Sequence, residues 1–501
     1  MESLSDTQWD VVISGTGLQQ SLLALALSRS GKNILHVDPN DYYGGPEAAF
    51  SLPEADEWAK RHRADGRNGS LFAGAEVKRE ADGLASPRAY TLALAPQLIH
   101  SRSKLVSQLV DSKAFRHIEF LAVGSFFIYQ PPSGALSALL SRIPSTREDV
   151  FSNTAIPARS KRSLMKFLKF VLDFDSEPQT DVWHPHADEP LDVFLASQFK
   201  LDGSLQSYII TLTLSQDGKV SVKDGLTTIH RHLTSMGVFG PGFAAIYPKW
   251  GGLSEVAQVG CRAAAVGGAV YMLGTGIKDA REAPSEDAQT EANLELELTN
   301  DMVVKTKRLV KGSEQSTASQ RISRLTAVTK SDFSSLFELQ TEGAPIPAVT
   351  IVAFPAGSVS TEEGKPSEYP VYALVHSSDT GECPSGQFVI YLTTVHDASS
   401  KSILEKALTS LVAAVQGDDE ASPSPCIYQL YYDQCAGTPS LVIDSNTATF
   451  PLPPVDLAFN DSILDTVQEA WNMLMGGSNE EGNEYMKFDD REGGDDDDAF
   501  D

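Results

Sequence analysis

A short apolar run, Val11 to Ile13, feeds a glycine turn at Gly15-Thr-Gly17, and an apolar helix carrying Leu22, Leu23, Leu25 and Leu27 follows, closed by Gly31. A second run, Ile34, Leu35 and Val37, ends at Asp38. Strand, glycine turn, helix and strand in this order predict a βαβ unit of the Rossmann type. Farther on, strand-like patterns give way to a helical block between about Ile143 and Gly237, after which strand patterns return. Within that block Ser145 to Glu148 reads as a capping box, and Ser160 starts a helix with Leu164, Phe167, Leu168 and Val171 on one stripe. Further helices are expected at Leu191 to Phe199, Leu205 to Leu214 and Val222 to Met236, the last stopped by Gly237. Two stretches, Pro53 to Pro87, rich in charge, Gly and Ala, and Asp279 to Gln320, rich in Glu, Ser and Thr, read as loops or insertions on the first domain. The pattern predicts an α/β chain: a large Rossmann-type domain, residues 1–142 and 241–475, interrupted by a small all-helical domain, residues 143–240.

The glycine turn carries the first candidate chemistry. In a working dinucleotide site the first glycine makes the turn, the second lets the backbone approach the pyrophosphate, and the third lets helix and strand pack closely. Gly15 and Gly17 keep the first two places, and Gln20 takes the third. Its side chain stands where the helix start must meet the phosphates, although Asp38 lies near the usual ~20 residues downstream. Gly15, Gly17, Gln20 and Asp38 therefore read as a vestigial motif, a Rossmann fold retained without its cofactor.

The chain has 501 residues, 41% hydrophobic and 21% charged, which describes a soluble globular protein of about two or three domains. No run approaches the ~18 apolar residues of a membrane span, and Met1 to Asp6 lacks a signal peptide's character, so a cytosolic location is expected. Four cysteines without Cys-x-x-Cys spacing point to free thiols and no metal site. A net charge of −27 argues against nucleic acid, whose phosphates it would repel, and favours basic partners. From Asn479 onward eleven acidic and two basic residues are found, so 476–501 reads as an acidic, disordered tail. The final Ala499-Phe-Asp501 is no prenylation signal.

Tyr42-Tyr43-Gly44-Gly45 behind the glycine motif, the stretch Arg88 to Pro96, and the segment from Tyr247-Pro248 through Gly267-Gly268-Ala-Val-Tyr271-Met272 resemble the Rab escort protein and Rab GDP-dissociation-inhibitor superfamily. The resemblance implies a flavoprotein-like large domain without FAD, a helical second domain, and a non-catalytic accessory role. It implies GDP-bound Rab GTPases as partners, recognised by Tyr43, Glu255, Arg262, Tyr271 and Met272. The segment Arg147 to Phe170 resembles the escort branch, in which Phe151 and Arg162 match the pair that docks on the α-subunit of the Rab geranylgeranyl transferase heterodimer. That branch also implies shelter for the Rab's geranylgeranyl lipid and transient membrane contact during delivery from the cytosol. Leu105, Val106, Leu109 and Val110 are placed in the groove for the Rab C-terminal segment.

Each assignment has a plainer counterpart in the residues themselves. Phe151 reads as core and Arg162 as a solvated helix residue, while Glu255 and Arg262, seven apart, fit a surface charge pattern on one helix. Val238-Phe239-Gly240 departs from the family's Arg-Tyr-Gly in the loop after the helical domain, and the loop before Glu255 is one residue longer. Three other functions stay open: a dissociation inhibitor that extracts Rabs without touching the transferase, a flavin-dependent oxidoreductase, and a scaffold indifferent to nucleotide.

Overall fold

Val11, Val12 and Ile13 are fully buried because their strand, Gln8–Ser14, lies inside a parallel sheet covered on both faces. It pairs in parallel with Ile34–Asp38 and with Val303–Gly312; Val270–Leu273 joins the first as an edge and Thr447–Phe450 runs beside the second. Leu294–Leu298 and Ile277–Glu282 extend the sheet in antiparallel fashion. The helix Leu18–Leu27 crosses between the first two strands, and all ten of its residues are buried. The helices Leu253–Val266 and Ser462–Met475 pack on it, which explains why it is buried all round rather than along one stripe. The computed structural model describes residues 4–64, 70–133, 137–144, 147–154, 156–283, 293–313, 320–339, 342–416, 426–437, 440–476 and 484–489.

A second sheet, ten-stranded among the described residues, is mostly antiparallel. Its long strand Phe120–Gln130 pairs with Leu139–Arg142 on the way into the helical block, and with Ala245–Pro248 on the way out. The helices therefore form an insertion hung from one strand. They are Arg147–Ser152, Ala158–Leu172, Gln179–Trp183, Leu191–Phe199, Gly203–Thr213 and Val222–Ser235. Rings fill their interior: Phe167 and Phe170 stand 5.2 and 5.1 Å from Phe199, and Phe174 stands 5.6 Å from Trp183. The architecture is flavoprotein-like: a Rossmann-type sheet, a second large sheet and an inserted helical unit.

Several sequence expectations are corrected. Pro53 to Pro87 is not a loop, since it holds most of the helix Leu52–Arg61 and the strand Phe72–Arg79. Ser51 caps that helix, its N–H donating to the Glu54 carboxylate at 2.8 Å, and Leu52, Ala55, Trp58 and Ala59 form a buried stripe beneath the charges. Asp279 to Gln320 likewise contains Leu294–Leu298, where buried leucines alternate with glutamates. The second helix of the block starts at Ala158 behind Pro157, two residues before Ser160. The capping box at Ser145 to Glu148 lies outside the residues whose side chains are described. Within the tail, residues 484–489 are packed rather than solvated: Met486 is buried, Tyr485 meets Trp471, and Arg29 lies 4.6 Å above the Phe488 ring. Residues 477–483 and 490–501 lie outside the described residues.

Candidate functional site

Gly15, at φ +91°, turns the chain out of the first strand, a conformation that costs a glycine little. The turn is closed by its own neighbours. The Thr16 N–H and hydroxyl both donate to Asp38 Oδ2 at 2.7 Å, and the Asn40 N–H and side-chain amide donate to Oδ1 at 2.8 and 3.0 Å. Asp38, fully buried and held up in pKa by that burial, thus spends its acceptors inside the protein. Glu47, delivered by the 3-10 turn Gly45–Glu47, accepts the Leu18 N–H at 3.1 Å in the helix's first turn. Burial pushes its carboxyl up to about 7. Gln20 fills the space between the turn and the strand Val303–Gly312, so that a Cβ on Gly312 would lie 2.7 Å from its Nε2. A crevice of about 510 Å³ remains along Gly15, Gly17 and Asp38. The Glu47 carboxyl already takes the Leu18 N–H, a donor of the helix's first turn that a phosphate would need, so this lining fits a pyrophosphate poorly. Glu47 had no sequence signal, since only the tertiary turn brings it to the helix.

The helix Leu253–Val266 carries Glu255 and Arg262, and glycine sets its position. A Cβ on Gly260 would come within 2.6 Å of the Ser21 carbonyl oxygen, so this helix and Leu18–Leu27 meet backbone to backbone. Glu255 is half-buried in the first turn and its pKa is raised by desolvation, with the Arg262 charge opposing. Arg262 itself is exposed two turns on. Tyr271 stands on the edge strand opposite His36, their rings 4.7 Å apart, and the Tyr43 ring lies 6.3 Å from Tyr271. A Cβ on Gly44 would lie 3.3 Å from Ser254 Oγ, so the Tyr43 loop abuts the first turn that bears Glu255. The fold thus gathers Tyr43, Tyr271 and the helix of Glu255 and Arg262 along one sheet edge. Met272 is not among them: strand alternation turns it to the other face, against the cluster of Trp9, Val12 and Leu35.

On the helical insertion, Phe151 is 57% exposed, which removes the core reading of that residue. Arg162 is exposed on the next helix, and Lys161 Nζ donates to the Phe151 carbonyl at 2.8 Å, tying the two helices together. The groove placement is corrected in part: Leu105, Val106 and Leu109 turn into the core on the helix Lys104–Asp111, leaving Val110 exposed. Val238 and Phe239 are exposed in the departing loop. Trp250 was missed by sequence reasoning; half-exposed at φ +68°, it donates its N–H to the Thr380 carbonyl at 2.9 Å. Beneath it Tyr247 and Tyr391 donate to the buried Glu382 at 2.7 and 2.9 Å, and His376 Nδ1 stands 2.7 Å from the same carboxylate. Among the described residues no helix is long and apolar enough to cross a membrane, and no His, Cys, Asp and Glu cluster is suited to a metal.

Residues 5–326, well over half the chain, match the family described as GDP dissociation inhibitor. The chain belongs to the GDP dissociation inhibitor family. Within reach of that family, Rab proteins geranylgeranyltransferase component A of Saccharomyces cerevisiae is 30% identical over 413 residues, covering 81% of this chain and 65% of the yeast protein. Its namesake in Candida albicans is 29% identical, covering 80% of this chain and 62% of its own. The match therefore spans slightly less than two thirds of the length of these relatives. The crystal structure of Rab GDI from Plasmodium falciparum superposes with a TM-score of 0.65 at 16% identity, over 94% of this chain and 98% of that one, and shows the family fold.

Proposed function

We propose that this chain is a Rab escort protein: it binds newly made Rab GTPases in the GDP state, presents their C-terminal cysteines to geranylgeranyl transferase, and shelters the lipid during delivery to membranes. The observation that carries this reading is Phe151, an aromatic ring left 57% exposed beside the helix of Arg162. An exposed aromatic anchor with an arginine fork is the composition of an interface hot spot. Tyr43, Tyr271, Glu255 and Arg262 form the Rab platform, rings supplying contact area and charges setting orientation. The chain is an accessory and not a catalyst, and it uses no FAD, because Glu47 and Gln20 hold the places of the pyrophosphate. The lipid enters the helical insertion by parting its helices. Burying a geranylgeranyl chain supplies on the order of 10 kcal/mol at ~0.8 per methylene before ordering costs.

The test is transfer of labelled geranylgeranyl to a GDP-bound Rab by purified transferase, with and without this chain. Transfer is expected to depend on the chain. The Phe151→Ala/Arg162→Ala variant is expected to need at least ~30-fold more chain for the same rate, the loss of about 2 kcal/mol typical of a hot spot. A chain that leaves transfer unchanged but pulls prenylated Rab from membranes would instead be a dissociation inhibitor. Flavin absorbance in the purified protein would revive the oxidoreductase.

A further inference from the structure

Beside the platform lies a groove of about 390 Å³, between the ends of the helices Leu18–Leu27 and Leu253–Val266 and the turn Ala114–His117. Lys and Arg make up 40 of the 501 residues, about one in twelve, yet they are four of the thirteen that line this groove: Arg29, Lys113, Arg116 and Arg262. His117 adds a fifth basic group, and among the described residues that line the groove there is no acidic side chain. In a chain of net charge −27 such a concentration is a local inversion of sign. It attracts an acidic ligand that the rest of the surface repels.

The chain itself delivers one. Residues 484–489 run into this groove: the Phe488 N–H donates to the Asp111 carbonyl at 3.1 Å, Phe488 lines the groove, and Arg29 donates to the Asp489 carbonyl at 2.5 Å. The next twelve residues, 490–501, carry seven acidic side chains and one basic, four of the acids in the run Asp495 to Asp498. At about 3.3–3.6 Å per residue twelve residues reach roughly 40 Å, more than enough to cross the groove.

We infer that this basic groove is a docking surface for the chain's own acidic segment, residues 490–501, which covers Arg262. The consequence rests on the reading of Arg262 as a Rab contact: the segment and a Rab then compete for one cation, and binding is weaker while the segment is seated. A few partly exposed ion pairs hold it. They weaken as the screening length shortens from ~10 Å at 0.1 M salt toward ~3 Å at 1 M.

Two readouts on the full chain test this separately. Zero-length carbodiimide coupling, mapped by mass spectrometry, should join Lys113 to carboxylates of residues 490–501 within one chain at low salt. The yield should fall several-fold in 0.5 M NaCl and in the variant Asp495→Asn/Asp496→Asn/Asp497→Asn/Asp498→Asn. At low salt the same variant should bind a GDP-bound Rab roughly 3- to 10-fold more tightly than the wild type, the effect of losing a few screened ion pairs. The two affinities should converge in 0.5 M NaCl. Coupling of Lys113 to this segment no stronger than that of Lys401, on the helix Ser400–Gln416 packed on the second sheet, or coupling only between chains, overturns the proposal. Equal Rab affinity of wild type and variant at low salt overturns the competition with Rab. If intramolecular coupling is found and neither protein binds Rab, the docking surface stands and the platform reading alone fails.

Discussion

Glu47, from the turn Gly45–Glu47, lies against the first turn of the helix Leu18–Leu27 and accepts the Leu18 N–H, where nucleotide-binding members of this fold class hold phosphate. Burial raises its pKa from 4.5 to about 7, so the folded chain holds this proton more tightly than the unfolded one. The stability it contributes is therefore full below about 4.5 and lost as the pH rises through about 7. Glu47→Gln keeps an acceptor for Leu18 without the charge. It should raise stability at pH 8 by on the order of 3 kcal/mol, at 1.36 per pKa unit, and by less than about 1 kcal/mol at pH 5. Thermal melts at the two pH values check this, and a variant destabilised at pH 8 would show that the helix terminus favours the ionised carboxylate. Of the residues around this turn, Gln20 was legible because it breaks a spacing rule, whereas Glu47 was not, because nothing within a few residues of it marks a helix end. Tyr43 and Tyr271 were legible only through resemblance: 228 positions separate them, and their 6.3 Å ring separation is a tertiary fact.

The proposed platform depends on two helices meeting without side chains between them. Gly260→Ala would place a Cβ 2.6 Å from the Ser21 carbonyl, a backbone atom that cannot swing away. Overpacking of this kind costs about 1–3 kcal/mol, and the outward shift carries Glu255 and Arg262 away from Tyr271. The expected result is a lower melting temperature together with a weaker Rab affinity, while Ala265→Ser, on an exposed position of the same helix, stays within about 0.5 kcal/mol of wild type. An affinity that survives the loss of stability would show that the helix crossing does not set the platform. Elements with a clear period were readable in advance: the helix Leu191–Phe199 falls where its apolar spacing put it, and Val222–Ser235 ends beside Gly237. The helix Leu52–Arg61 and the strand Leu294–Leu298 were read as loops because charged residues dominate their composition. Their buried stripes become visible only when partners cover them, since amphipathic and merely charged segments differ by the face they bury.

Buried histidines distributed through the fold govern its response to acid. Desolvation pushes His36 and His232 down to about 4 and His100 well below its ordinary value, so all three are neutral in the folded chain. The unfolded chain protonates them near 6.5, so the stability present above 6.5 is lost as the pH falls toward 4, opposite in sign to Glu47. Melting temperatures should drop between pH 7.5 and 5.5. His232→Phe, whose ring would stay beside Phe126, should reduce the accompanying loss of stability by about 1.4 kcal/mol, one pKa unit of linkage, and the melting-temperature drop with it. An unchanged pH slope in the variant would remove His232 from the account. By itself the sequence determined the βαβ opening, the loss of its third glycine, the inserted helices and the acidity, because periodicity and turn chemistry are written within a few consecutive residues. Tertiary structure alone decided that Phe151 is exposed, that Met272 faces away from Tyr271, that Glu47 closes the helix terminus, and that cations from positions 29, 113, 116 and 262 line one groove. Those outcomes depend on which distant segments share a surface, and burial and charge act through space rather than along the chain.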